Sequence, residues 1–355
     1  MGAHLIVTAG TLFLQLPNQD STPSTEQPSP GVAYERLSDA LRYDRVQGLS
    51  LGLGYRLPLS SSHLATAYAT VRYGVSDQRV TWRLSIQRDL AKGRVTLSGY
   101  HELANVDPVS QGHTISNTLN ALMAGHDNGD YADVQGGSIT WEAAIASTLE
   151  LGLSGRVERQ GSVGTEAHSA INDFLGGTGI FPPNPPVHQA TFAEMTARVT
   201  GLDKIKWNLT VDVLRGSDHT AARVYGDVGR RFGAFPMMSL RLKAGLGGET
   251  PLPQTLFRLG GLATVRGFEY ATVQAPAFWA AQLELGLGRG RIRPLVFLDG
   301  GQAAQVADFG STPALVGGGV GISVLRGLIR FELSRPISPD SSQKLRFDLV
   351  IGRLE

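Results

Sequence analysis

Gly48-Leu49-Ser50-Leu51-Gly52-Leu53-Gly54-Tyr55-Arg56-Leu57 decides the fold of this chain. Leucine or tyrosine fills every odd position, and glycine, serine or arginine every even one. Successive side chains of a strand point to opposite faces, so this period of two, which runs from Val46, predicts a strand with one apolar and one small or polar face. The same alternation recurs in Val80 to Ile86, Trp207 to Val213, Leu240 to Leu246, Leu283 to Leu287, Ile329 to Leu333 and Leu345 to Ile351. Helical spacing fits none of these segments better.

Alternation alone suits both a soluble sheet, whose apolar face fills the core, and a membrane barrel, whose apolar face meets lipid around a polar lumen. Long charged residues stand on the polar faces, as in Arg241 and Lys243, Arg330 and Glu332, and Arg346 and Asp348. Such residues suit a lumen lined by cross-strand ion pairs. Loop lengths point the same way. With a first strand at residues 4–16, about sixteen strands are expected, an even number as closure of a bacterial antiparallel barrel requires. Long connections (Pro17 to Asp44, Asn105 to Asp133, Gly161 to His188, Gly248 to Pro276) alternate with short ones (Pro58 to Ser62, Leu90 to Gly93, Arg289 to Arg291). Long loops on one rim and tight turns on the other are the asymmetry of outer-membrane barrels. The expected fold is therefore all-β, a transmembrane antiparallel β-barrel.

Composition narrows the class. No apolar run approaches the ~20 residues a spanning helix needs. The chain has no cysteine, hence no disulfide framework or thiolate metal site, and its 44 glycines suit strands that bend and close. A formal net charge of +1 gives no reason to expect a nucleic-acid partner. No cofactor or metal is expected, since the eight histidines (His4, His63, His101, His113, His126, His168, His188, His219) are scattered, none four residues from another. Gly48-Leu49-Ser50-Leu51-Gly52 has the form of a nucleophile elbow but lies inside an alternating strand with no helix after it, so no enzyme is expected. The Pro- and Ser-rich stretches Ser21 to Gly31 and Phe181 to Pro186 fall in loops, leaving residues 1–355 as one domain with a sixth extracellular loop at 248–275.

The candidate site lies in that loop. Leu256-Phe257-Arg258-Leu259-Gly260-Gly261-Leu262-Ala263-Thr264-Val265-Arg266-Gly267-Phe268 offers one arginine between turn-forming glycines. Downstream, Phe297-Leu298-Asp299-Gly300-Gly301 puts Asp299 on the lumen face if Val296 and Leu298 face lipid, and the same parity turns Gln282 and Glu284 inward. A guanidinium at the tip of an inward-folded loop would bond both carboxylates. Val265-Arg266-Gly267-Phe268 resembles the signature loop of the BamA/TamA superfamily of outer-membrane assembly and translocation barrels. Phe297 to Gly301 resembles the strand motif that receives the arginine. The resemblance covers the last third of the chain closely and Leu41 to Leu57 more loosely.

What the resemblance implies is a bacterial outer-membrane barrel that helps client polypeptides into or across the membrane without covalent chemistry. Arg266 would lock the sixth loop in the lumen against Glu284 and Asp299, with Gly260, Gly261, Gly300 and Gly301 in support. Its partners would be outer-membrane lipid, clients, and periplasmic domains or accessory proteins outside this chain. A weak seam between the first strand (Leu5 to Leu16) and the last (Leu345 to Gly352) would pair with an incoming strand. Two departures stand out: Leu354-Glu355 replaces the usual terminal aromatic, and no POTRA pattern precedes residue 45. A passive or gated porin, and the membrane domain of a protein with an upstream lipase-like domain, remain as alternatives.

Overall fold

The computed structural model describes residues 29–34, 37–59, 64–110, 112–169, 171, 179–233, 236–288, 290–339 and 345–352. The order is β1 (Gly31–Val32), a helical turn α1 (Leu37–Ala40), β2 (Leu41–Asp44), β3 (Gly48–Pro58), β4 (Ala65–Gly74), β5 (Val80–Leu90) and β6 (Gly93–Asn105). Helix α2 (Ile115–Ala124) precedes β7 (Tyr131–Ala146), β8 (Leu149–Ser162), β9 (Ala190–Leu202), β10 (Ile205–Arg215), β11 (Thr220–Phe232) and β12 (Met237–Gly247). A short hairpin of β13 (Phe257–Leu259) and β14 (Val273–Ala275) leads into β15 (Ala277–Gly286), β16 (Ile292–Ala304), β17 (Leu315–Val324), β18 (Ile329–Ser338) and β19 (Arg346–Ile351).

Apart from that hairpin, the strands form one antiparallel sheet in which, from β2 on, each pairs with the next, β12 passing directly to β15. Seventeen strands occupy sixteen positions, because β1 and β2 both pair with β3, Gly31 opposite Arg56 and Leu41 opposite Leu51. This broken strand corrects the expectation that Pro17 to Asp44 is a loop. Four residues of β2 are too few to show a period, and α1 interrupts the alternation before it. The expected first strand at 4–16 lies outside the described residues. Among the described residues no register of paired residues joins β19 to β1, β2 or β3, and the sheet has a seam there.

The sheet is apolar outside and polar inside. Leu49, Leu51, Leu53, Tyr55 and Leu57 of β3 are all exposed, Leu53 at 64%, as are Trp82, Leu84 and Ile86 on β5 and Leu209, Val211 and Val213 on β10. On the inner face Ser50, Arg72, Glu158, Glu194, Asp212, Asp299, Glu332 and Asp348 are buried. This inversion, with charge inside and hydrocarbon outside, is what a lipid-facing barrel requires. Inner charges pair along or between strands: Arg156 with Glu194 at 2.5 Å, Arg223 with Asp212 at 3.0 Å, Arg346 with Asp348 at 3.0 Å.

The connections 106–130, 163–189 and 248–276 share one rim, and the turns 91–92, 147–148 and 203–204 the other. The sorting is not uniform, since the short turns 45–47, 75–79 and 216–219 also lie on the long-loop rim. Two of the long connections carry order that alternation does not announce. The first holds α2, opened by the Thr114 hydroxyl accepting from the Asn117 N–H and closed by Gly125 in the left-handed region. The third, which is the sixth connection on its rim, holds the β13–β14 hairpin and folds back inside the sheet.

Candidate functional site

The sixth loop carries its own apolar core into the barrel. Phe257, Leu259, Val265 and Phe268 are buried together with Ala275 and with Phe278, Ala280, Ala303 and Leu315 of the wall. The wall strands leave room by lacking side chains. A Cβ at Gly245 would lie 2.6 Å from the Phe257 ring, and one at Gly301 would lie 2.9 Å from Leu259. Above this core the loop turns tightly: Thr264 Oγ1 accepts from the Gly260 N–H and donates to the Gly260 carbonyl, while the Gly261 N–H reaches the Phe268 carbonyl. Gly260, Gly261 and Gly267 all have positive φ, at 112°, 84° and 94°, where a side chain is strained. Gly300 differs. It lies on the other face of β16, and a Cβ there would meet nothing closer than 3.8 Å.

This packing delivers Arg266 to a ring of acids. Its Nε and Nη2 donate to Asp299 Oδ2 and Oδ1 at 2.7 and 2.8 Å, a fork-on-fork pair, and its backbone N–H donates to Oδ2 at 3.0 Å. The remaining Nη1 faces Glu284 Oε2 at 3.3 Å and both oxygens of Glu332 at 3.4 Å. The guanidinium also lies 3.6 Å above the centre of the Phe297 ring, a cation–π contact in a dry setting. Arg330 completes the cluster by bonding Glu284 at 2.5 Å and Glu332. Two guanidinium groups thus face three carboxylates. Arg266, Asp299 and Glu332 are 6%, 1% and 1% exposed, so their charges interact with little screening. Burial alone would lower the Arg266 pKa, but Glu332, Asp299 and Glu284 outweigh it and hold the pKa above the ordinary arginine value.

Glu332 and Arg330 were legible as lumen charges but not as partners of Arg266. Alternation assigns a face and not a height along the wall, and β18 reaches the site only through the curvature of the sheet. A second tie also escapes sequence reasoning. Arg258 donates to Asp130 at 2.8 Å, Tyr270 to Asp107 at 3.0 Å, and the Leu262 N–H to Asn128 Oδ1 at 3.4 Å, binding the sixth loop to the α2 connection. Ser50, the centre of the elbow-like string, lies mid-strand on β3 and accepts from Arg72. Among the described residues no group of three or more His, Asp or Glu is arranged to hold a metal ion.

A family profile described as the C-terminal domain of DUF5686, a family of unknown function, matches residues 19–245. A second, described as haemolysin secretion/activation protein ShlB/FhaC/HecB, matches residues 242–324 and so spans Arg266, Glu284 and Asp299 but not Glu332. No curated protein matches the chain. Among solved structures it is similar to BamA from Haemophilus ducreyi lacking POTRA domains 1–3, with a TM-score of 0.60 at 11% identity over 87% of this chain and 68% of that one. It is also similar to CdiB from Acinetobacter baumannii, with a TM-score of 0.50 at 12% identity over 87% of this chain and 57% of that one. At these identities the likeness is one of fold alone: a BamA-type antiparallel β-barrel.

Proposed function

The chain belongs to the family of unknown function DUF5686, C-terminal domain, and we propose that it is a bacterial outer-membrane barrel that assists polypeptides into or across that membrane, with its sixth loop held in the lumen by Arg266. The observation that carries this reading is the contact of Arg266 with Asp299 through three hydrogen bonds on a loop that packs its own apolar core against the wall. A loop tied this firmly blocks free passage and fixes one arrangement of the surrounding strands. It serves a machine whose wall must open in a defined place better than it serves an open pore.

That place is the seam between the β1–β2 position and β19. A strand edge presents unpaired backbone donors and acceptors, and an extended client segment pairs with them by strand addition. No covalent step is involved, and the residues that matter hold and release strands. The resemblance to secretion and assembly barrels supports a polypeptide as the cargo.

The test is reconstitution of the purified chain in liposomes with an unfolded outer-membrane barrel protein as client. Folding or uptake of the client should be faster with the parent than with Arg266→Ala or with empty liposomes. A steady single-channel conductance through the parent, with no effect on any client, would favour a porin instead.

A further inference from the structure

Helix α2 stands in the seam where a strand would stand. Asn120 Nδ2 donates to the Leu349 carbonyl at 2.8 Å, and the Leu349 N–H donates to Asn120 Oδ1 at 2.7 Å. One turn away, the Ile351 N–H donates to Ser116 Oγ at 2.9 Å and the same hydroxyl reaches the Ile351 carbonyl at 3.4 Å. Both residues of β19 thereby have N–H and C=O bonded by side chains of a helix. In an antiparallel pair alternate residues direct both groups to one neighbour, so Arg346, Asp348 and Val350 turn theirs to β18 and Leu349 and Ile351 turn theirs to the seam.

The match follows from helix and strand dimensions. Residues four apart on a helix rise ~6 Å, and residues two apart on a strand rise ~6.8 Å. A helix face with polar side chains at i and i+4 therefore meets successive seam-facing positions of a strand. Residue 118 lies two positions from each, on the opposite side of the helix, and there Thr118 Oγ1 accepts the Tyr43 N–H of β2 at 3.3 Å. Both borders of the seam are bonded to one helix. The helix is also anchored from behind: buried Asn117 donates to Gly112 O at 2.8 Å and to Asp127 Oδ1 at 2.7 Å, and Asp127 accepts from the Arg45 N–H.

We propose that α2 is a resident substitute for a strand, holding the seam-facing groups of β19 through Asn120 and Ser116 and competing for them with an extended polypeptide segment. The proposal rests on the reading that clients pair at the seam, and it adds the group that a client must displace. An extended segment is the occupant that fits, because it supplies a donor and an acceptor at every second residue. The β2 edge is not that occupant while Thr118 holds it on the far side of the helix.

The experiment is residue-resolved hydrogen exchange on the full chain in detergent micelles, comparing the parent with Asn120→Leu and Ser116→Ala. Asn120→Leu keeps the volume but removes both the acceptor of the Leu349 N–H and the donor to the Leu349 carbonyl. Exchange at Leu349 should rise about tenfold or more in Asn120→Leu, and at Ile351 in Ser116→Ala, while Arg346, Asp348 and Val350 keep their rates. Unchanged exchange at both positions would overturn the proposal, whether because the caps are immaterial or because β2 closes the seam itself. If a variant loosens all five residues the end of the sheet has come away, and the other variant decides: a rise confined to its own position supports the proposal, and any other pattern overturns it.

A synthetic peptide of about ten residues with alternating valine and threonine, the length of an ordinary strand, then probes competition. It should restore protection at Leu349 in Asn120→Leu at a concentration about tenfold below that needed to alter the parent. Equal concentrations would overturn competition and leave the seam reading in place. Failure to protect either form would overturn the seam reading itself, and the competition with it.

Discussion

Arg266 and Asp299 are joined three times over, by both ends of the guanidinium fork and by the Arg266 backbone N–H, so that one carboxylate fixes the side chain and the main chain of the same loop residue. The backbone bond matters as much as the ion pair. It sets the height of the loop in the barrel, and Glu284 and Glu332 then meet a guanidinium already in place.

Removing either partner leaves a buried charge unsatisfied, which costs about 3–5 kcal/mol. Arg266→Ala and Asp299→Ala should each lower the temperature at which the heat-modified gel mobility shifts and open residues 248–276 to protease. The double variant should add little to either single one, because the two residues act as a unit. A sum of two independent losses would show that they do not.

Arg266→Lys keeps the charge and gives up the planar fork. A lysine ammonium has no second parallel bond to offer Asp299 while also facing Glu284 and Glu332. The expected loss is about 1.5–3 kcal/mol, between the parent and the alanine variant. Thermal unfolding of the loop, followed by protease sensitivity, measures it.

Arg258→Ala breaks the tie to Asp130 and leaves Arg266 untouched. Cleavage should appear near the β13–β14 hairpin while the Arg266 segment stays protected. Mass spectrometry of the fragments distinguishes the two sites directly. Cleavage spread evenly over the whole loop would show the two ties to be one cooperative unit.

Gly317→Ala should mimic loss of the ion pair without touching a charge. Its Cβ would lie 2.0 Å from the Arg266 carbonyl oxygen, an impossible approach unless the loop lifts. Gly300→Ala on the neighbouring strand, with its nearest contact at 3.8 Å, should be close to neutral. Comparing the two gel shifts separates a steric requirement in the lumen from a general intolerance of β-strand substitutions.

The period of two placed most of the strands and, with the charged residues gathered on one parity, put Asp299 and Glu284 on the face where Arg266 lies. Those inferences depend only on parity, which is local. Glu332 was out of reach because its contact depends on how far β18 is staggered against β16, a property of the whole sheet. Helix α2 was hidden for another reason. It is ten residues long, sits between loops, and spends Ser116, Thr118 and Asn120 on bonds to distant strands and Asn117 on its own loop, so its buried face is polar and the apolar spacing of Ile115, Leu119, Leu122 and Met123 marks the less buried one. Its caps, Thr114 and Gly125, were the other local signs of it.

The length of β19 bears on the lipid beside it. Six residues extend ~20 Å, and less once a barrel strand's tilt is taken into account. The apolar belt of an outer-membrane barrel is ~25 Å tall. Among the described residues β2 is shorter still, at four residues, so both borders of the seam span less hydrocarbon than their neighbours, and lipid around a barrel built this way would thin to meet them. A thinned bilayer lowers the barrier for a chain that enters from the side, so on the proposed reading a short β19 would also ready the lipid beside it for a client.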